Sequence, residues 1–380
     1  MSHRTRFALV SLLMLVAVVA TACAPVVAPT PPVIKETAGS VQLNGAGATF
    51  PDPIYTEWRF AYQYVDPSVV INYQAIGSGG GKKGIVDKTL DFAGSDSLLT
   101  VEYTKTPGLQ MFPTLAGAEV LIFNLAPEVT TTLAIDGPTL ADIYLATITR
   151  WNDPAIARLN PTAALPDKPI TVVHRSDGSG TTEIFTKYLA DVSADWKAGP
   201  GAGQSVQWPV DKAGNGIGGK GNAGVAAAVQ NTPYSIGYVE LSYAVANQIT
   251  FADMVNKVGK TVKANAESLA SAMSDYGDKF NDQLTINMIS NGGGDQTWPI
   301  AGYTYQIIYL DWKSDATVGC AKAEKYLNWV NWFLTDPAAG KRATDLGYAV
   351  LPDTVRAKVF GTLAKVTCDG QPVNSDITKK

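Results

Sequence analysis

The sequence predicts an α/β fold of two lobes, each a mixed, mostly parallel sheet flanked by helices. Three observations carry this. Short β-branched runs alternate with helix-length stretches along the whole body. Hydrophobic residues make up 46% of 380, ample for buried cores, and the length fits two or three domain-sized units. No Pro-rich or Ser-rich linker divides the body, which favours two lobes joined by more than one crossing.

Taken in order, the amino terminus comes first. Residues 1–6 are short and basic, and 7–22 are apolar except for Ser11 and Thr21. This is a signal-peptide pattern over 1–22, short for a membrane span of about 20 residues. It ends Ala20-Thr21-Ala22-Cys23, small residues ahead of a cysteine, as at a bacterial lipoprotein cleavage site. Lipidation of Cys23 is expected; ordinary secretory cleavage near Ala22 is the alternative. Residues 23–40 hold Pro25, Pro29, Pro31 and Pro32 and read as an extended tether.

The body follows. Strands are predicted at 41–44, 69–73 and 90–94, with helices at 50–64 and 80–88 between them. A second set has strands at 119–124, 170–174 and 235–239, with helices at 137–145, 154–159, 178–190, 221–231 and 265–276. An apolar β-rich run at 298–309 and helices at 320–334, 337–346 and 353–363 complete it. Cys320 and Cys368 are an even pair in an exported chain. That suggests one disulfide, with two separate buried thiols as the other reading.

Composition narrows the function. Lys+Arg of 30 against Asp+Glu of 34 gives −4, and two of the cations, Arg4 and Arg6, belong to the leader. With no basic block, nucleic acid and an acidic membrane surface are poor partners. Only His3 and His174 are present, so a His-rich metal site is not expected, nor is any metal or cofactor.

Three Gly/Ser/Thr junctions each follow a predicted strand and open a helix. The first is Gly45-Ala46-Gly47-Ala48-Thr49-Phe50-Pro51. Its glycines permit a tight turn, Pro51 suits a first helical turn, and Thr49 is placed as an N-cap with Asp52 three residues on. The second, Gly77-Ser78-Gly79-Gly80-Gly81, is nearly bare of side chains, so a ligand can approach the backbone. The third is Arg175-Ser176-Asp177-Gly178-Ser179-Gly180-Thr181-Thr182, which adds a guanidinium able to grip an oxyanion with two prongs. Singly, each is ordinary turn and cap chemistry. Three in one chain, all beyond strand ends, point to an anion site built on helix N-termini. None is a Walker A loop, and Gly45-Ala46-Gly47 lacks the third glycine of a dinucleotide fingerprint.

Here the residues carry a resemblance. GAGATFPDPIYTEW, YQAIGSGGG, DFAGSDSLL, RSDGSGTTEIF, GGKGNAGVAAAVQ and SIGYVE, in this order, resemble the periplasmic phosphate-binding protein of the bacterial phosphate ABC transporter. PTLADIYLATITRWNDPAIARLNP and DLGYAVLPDTV are similar to its other segments. The resemblance runs from about residue 41 to 366. It implies a two-lobed periplasmic binding protein of type II, closing on its ligand. The division it implies is lobe I at 41–116 plus 299–370, lobe II at 117–298 and a C-terminal tail at 371–380. As ligands it implies the Thr49 hydroxyl and amide, the Phe50 amide, Ser78, Asp96, Arg175, Ser179, Gly180 and Thr181. Asp177 matches an acid that holds the arginine in place. Where Gly79 stands the family often has a second Ser, so one hydroxyl is missing here.

Asp96 is the sharpest point. Two unit negative charges 4 Å apart cost about 4 kcal/mol at an effective dielectric of 20. A carboxylate therefore suits an anion site only if the ligand brings a proton to share. Phosphate near neutral pH keeps one and sulfate does not, so an ionised Asp96 is expected to admit phosphate and reject sulfate.

Weaker candidates remain. Ser179 with His174 is a conceivable nucleophile and base, without an elbow motif or a third orienting group. His174 otherwise reads as a pH-sensitive group behind the site or a packed strand residue. Lys220 reads as a source of field or a loop lysine, and Trp151, Trp196, Trp208 and Trp298 as a sugar platform or core. The reading reached is an extracytoplasmic, lipid-anchored, monomeric receptor. It passes inorganic phosphate to an ABC permease and is not an enzyme. Its alternatives are a secreted phosphatase-like hydrolase and a binder of sulfate or molybdate.

Overall fold

The computed structural model describes residues 40–99, 105–276, 279–281, 283–286 and 291–378. The leader and the tether with Cys23 lie outside the described residues.

The chain opens with β1 (Val41–Gly47), α1 (Asp52–Tyr62), β2 (Val69–Ala75), α2 (Ser78–Val86), β3 (Phe92–Ser95) and β4 (Leu109–Asn124). It continues through β5 (Ala134–Asp136), α3 (Gly137–Tyr144), α4 (Pro154–Leu159), β6 (Thr171–Arg175), α5 (Gly180–Val192), α6 (Ala194–Ala198) and α7 (Pro209–Ala213). Then come β7 (Gly216–Gly219), α8 (Gly221–Asn231), β8 (Ser235–Glu240), α9 (Leu241–Ala246), β9 (Asp253–Val255), β10 (Thr261–Val262) and α10 (Ala266–Ser274). It returns through β11 (Ala301–Tyr309), β12 (Asp311–Trp312), α11 (Ala321–Thr335), α12 (Pro337–Asp345), β13 (Ala349–Val350), α13 (Asp353–Leu363), β14 (Thr367–Cys368) and β15 (Gln371–Pro372).

The main sheet runs β2-β1-β3-β11-β4-β8-β6-β7, with β13 also on β4. Its outer strands pair in parallel and its central ones antiparallel. β4 is the seam. Up to Ala118 it pairs with β11, and from Glu119 onward with β8. One strand thus serves two half-sheets, each with its own aromatic packing. Trp58 stacks on Phe333 in the first, at 4.6 Å between ring centroids, and Phe185 on Tyr238 in the second, at 4.2 Å.

The sequence pattern finds only the second half of β4, from residue 119. Pro113 lacks an N–H and Gly117 a side chain, so the first half carries a weaker local strand signal. The structure accommodates Pro113, which has no N–H to donate, by a register shift opposite Thr304 and Tyr305. Thr114 is left over at that bulge, and its hydroxyl donates to the Thr304 carbonyl. Burial of almost the whole strand, on both faces, overrides the local signals. Residues 371–378, expected as a tail, carry β15 and bury Val373, Ser375 and Ile377.

Cys320 and Cys368 form a disulfide between Cα atoms 5.9 Å apart, tying the start of α11 to β14. On the loop-closure account, a bridge across 48 residues contributes about 4 kcal/mol. Replacing both cysteines by serine is expected to lower the unfolding free energy by roughly that amount, read from denaturant midpoints.

At the seam, Glu119 stands directly opposite Glu240 in the antiparallel ladder, and both are fully buried. Glu240 Oε2 accepts from the Ser242 N–H, the Ser242 hydroxyl and the Tyr348 hydroxyl. Its Oε1 and both oxygens of Glu119 have no partner among the described residues. Burial pushes both carboxyls up, Glu240 to about 8, and the Asp96 charge adds to each shift. The unfolded chain releases these protons near pH 4.5, whereas the folded chain keeps that of Glu240 until about 8. Stability is therefore lost as pH rises through this window, by up to about 1.4 kcal/mol per pH unit for each such group. Glu119→Gln removes one titration, so its thermal midpoint should gain on the wild type as pH rises toward 9. An offset constant with pH would refute the assignment.

Candidate functional site

The three glycine-rich junctions converge where the two half-sheets meet. Each is positioned by a strand end: β1 leads into Ala48–Phe50, β2 into Gly77–Ser78, β3 into Asp96 and β6 into Arg175.

Three buried tyrosines fix the first junction. Tyr73 donates to the Ala48 carbonyl (2.8 Å), Tyr243 to that of Thr49 (2.6 Å) and Tyr348 to that of Phe50 (2.7 Å). In a planar trans peptide the N–H points opposite the preceding carbonyl. Anchoring the Ala48 and Thr49 carbonyls therefore turns the Thr49 and Phe50 N–H groups the other way. Those two N–H groups make no hydrogen bond among the described residues. Thr49 is not the cap of α1, as the sequence pattern suggested. The cap position is Pro51, which makes no side-chain bond. The Thr49 hydroxyl instead accepts from Asn222, on the other half.

The second and third junctions meet directly. Ser78 Oγ accepts from the Asp96 N–H (3.1 Å) and the Gly180 N–H (3.2 Å) and faces Asp96 Oδ2 at 3.3 Å. Gly79 N–H donates to the Gly178 carbonyl at 3.0 Å. Two glycines make this approach possible. Gly77 has φ of +87°, and a Cβ there would lie 2.5 Å from Asp177 Oδ2. A Cβ on Gly180 would lie 2.5 Å from Asp96 Cβ. A Cβ on Gly79 would meet Gly178 and Gln204 rather than Asp96, so a serine there would not begin by facing the carboxylate.

Arg175 is buried, its side chain 1% exposed. Nε donates to Asp177 Oδ1 (2.8 Å) and Nη2 to Oδ2 (2.6 Å), a two-pronged pair. Nη1 donates to the Thr181 hydroxyl at 3.2 Å. Of five guanidinium N–H donors these use three, leaving two. Burial works against the Asp177 charge. The Arg175 bonds and charge, with the Gly221 N–H, outweigh it and hold the carboxyl below its ordinary range.

Asp96 differs. Burial pushes its carboxyl up to about 7, against the nearby Thr304 hydroxyl, the Arg175 charge and the Ser78 hydroxyl. Its Oδ1 has no hydrogen-bond partner among the described residues, nor has the Thr304 hydroxyl. The site thus sets one buried cation and several N–H and O–H donors around a carboxyl that changes charge near neutrality.

Ser179, Gly180 and Thr181 open α5, where the Ser179 hydroxyl accepts the Thr182 N–H. Ser179 and His174 do not pair. The His174 ring stacks on Trp208, with Nε2 on Asp211 (2.8 Å) and Nδ1 on the Arg175 carbonyl (3.0 Å). His174 is a packed strand residue, Lys220 an exposed loop lysine, and Trp151, Trp196, Trp208 and Trp298 are core.

Sequence reasoning passed over Asn222, fully buried between Thr49 and Thr181, and the three anchoring tyrosines. Asn222 stood in a quoted motif, GGKGNAG, and drew no attention because an asparagine among glycines reads as a turn.

Comparison with known proteins places this geometry. Residues 33–337 match the PBP superfamily domain. The phosphate-binding protein PstS of Pasteurella multocida is 42% identical over 319 residues, covering 83% of this chain and 88% of the relative. That of Xylella fastidiosa is 41% identical over 323 residues, covering 85% of each. The crystal structure of a DING protein aligns with a TM-score of 0.66 at 21% identity, over 88% of this chain and all of that one, a likeness of fold. By sequence over most of its length, and by the two-lobed fold, the chain belongs to the PBP superfamily and, within it, to the PstS family of phosphate-binding proteins.

Proposed function

We propose that this chain captures inorganic phosphate between its two lobes outside the cytoplasm and delivers it to an ABC permease for import. One observation carries the reading: N–H groups and two guanidinium donors without partners among the described residues lie together with a carboxyl poised near neutrality at one buried point. The names of its relatives support it. The ligands are the Thr49 hydroxyl and N–H, the Phe50 N–H, Ser78 and Asp96 from lobe I, and Arg175, Ser179, Gly180 and Thr181 from lobe II. Asp177 aims the guanidinium. Lobe I is 41–116 with 299–370, and lobe II is 117–298; the change of partner along β4 at Glu119 supports a division there. The protein works as a monomer, tethered through a lipid on Cys23, and makes and breaks no covalent bond. The engagement of both His174 ring nitrogens elsewhere supports this last point.

Asp96 sets the selectivity. Between this carboxyl and a fully charged oxyanion there must be one proton. Phosphate supplies it; sulfate can bind only if Asp96 itself is protonated.

Titration calorimetry on the body after the tether, stripped of endogenous phosphate, tests the reading. One-to-one binding of phosphate is expected, with sulfate binding far more weakly at pH 9, where Asp96 is ionised, than at pH 6. Silence toward phosphate in folded, ligand-free protein would overturn it. Asp96→Asn is expected to admit sulfate. A buried unpaired acceptor costs about 1–3 kcal/mol, so the preference for phosphate should narrow by roughly 5- to 150-fold. In the wild type, sulfate binding should emerge as pH falls below about 7, with uptake of a proton. Sulfate rejection unchanged in Asp96→Asn would refute proton sharing.

A further inference from the structure

Asn222 touches two of the proposed ligand residues without being one itself. Its Oδ1 accepts the Glu240 N–H at 3.1 Å. A backbone donor on that side fixes the amide orientation, so the –NH2 group must face the other way. There Nδ2 lies 2.9 Å from Thr49 Oγ1 and 3.2 Å from Thr181 Oγ1. Thr49 Oγ1 also accepts the Asn222 N–H (3.3 Å), and Thr181 Oγ1 also accepts from Arg175 Nη1 (3.2 Å).

A hydroxyl has two acceptor lone pairs and one proton. On both threonines the two acceptor positions are filled, and neither hydroxyl has an acceptor for its own proton among the described residues. The geometry points to Asn222 as a positioning residue that makes both Thr49 and Thr181 obligatory donors, one from each lobe, aimed at the anion. A free threonine hydroxyl rotates and can present a lone pair to an anion, which repels it. Asn222 removes that choice in advance, so no reorganisation is needed when the ligand arrives. Its own burial and its three protein contacts hold it in place. The inference rests on the phosphate-binding reading and adds the residue that sets donor polarity.

The test is a double-mutant cycle read by phosphate calorimetry. Asn222→Ala is expected to weaken phosphate binding by roughly 10- to 100-fold, about tenfold for each misdirected hydroxyl. In a Thr49→Val, Thr181→Val background the same change should cost less than about threefold, because no hydroxyl is left to orient. A purely structural asparagine would cost the same in both backgrounds, and that outcome overturns the inference. If Asn222→Ala does not fold, Asn222→Leu decides: it keeps nearly the same volume, removes the amide donor and adds no charge. It should weaken phosphate binding roughly 10- to 100-fold in the wild type and less than about threefold in the Thr49→Val, Thr181→Val background, and equal losses in both would overturn the inference. Wild-type binding is measured first. No phosphate heat there overturns the binding reading and this inference with it, whereas binding with additive losses overturns this inference alone.

Discussion

A guanidinium taken out of water costs several kcal/mol unless it is paired and hydrogen-bonded. Arg175 is paired by gripping Asp177 with two prongs two residues away, and its two remaining donors are left for a ligand. Asp177 also accepts the Gly221 N–H, so the ion pair fixes the start of α8. Asn222, the next residue, is thereby set between Thr49 and Thr181. The pair is nearly neutral as a whole. What the site offers a ligand is therefore directed donors rather than a large positive field, which agrees with a chain of net charge −4.

Carboxyls surround this cation at graded depth. Asp177 stays charged, Asp96 lies near neutrality, Glu240 is pushed to about 8, and burial pushes Glu119 well above the usual carboxyl range. Donor number alone does not set this order: Asp177 and Glu240 each accept three hydrogen bonds, but two of those on Asp177 come from the Arg175 guanidinium, whereas Glu119 accepts none on its side chain among the described residues. Burial decides where donors do not.

Much of this was legible in the sequence. The alternation of strand and helix gave α4, α8 and α13 to the residue, because a Pro, Gly or Asp stood at each start. The three junction sequences and the DFAGSD motif carry the polar residues that converge. What escaped has physical causes. β7, Gly216–Gly219, has no β-forming side chain apart from Ile217 and exists through its pairing with β6. The first half of β4 contains a proline, accommodated by a bulge in β4 itself at Thr114. Thr49 follows capping statistics on paper, yet the cap falls at Pro51 because its hydroxyl has a better-buried partner on the far half. The role of Asn222 depends on residues 41 to 173 positions away along the chain, a separation no local pattern encodes.

The bonds between the halves run from protein to protein: Ser78 to Gly180, Gly79 to Gly178, Thr49 to Asn222 and to Tyr243. Each holds the lobes together whether or not it touches a ligand. An anion enclosed between them can leave only after they yield together. Dwell time is thus written mainly in these straps and encounter speed in the open form, so changes outside the ligand shell can tune retention while leaving capture almost untouched.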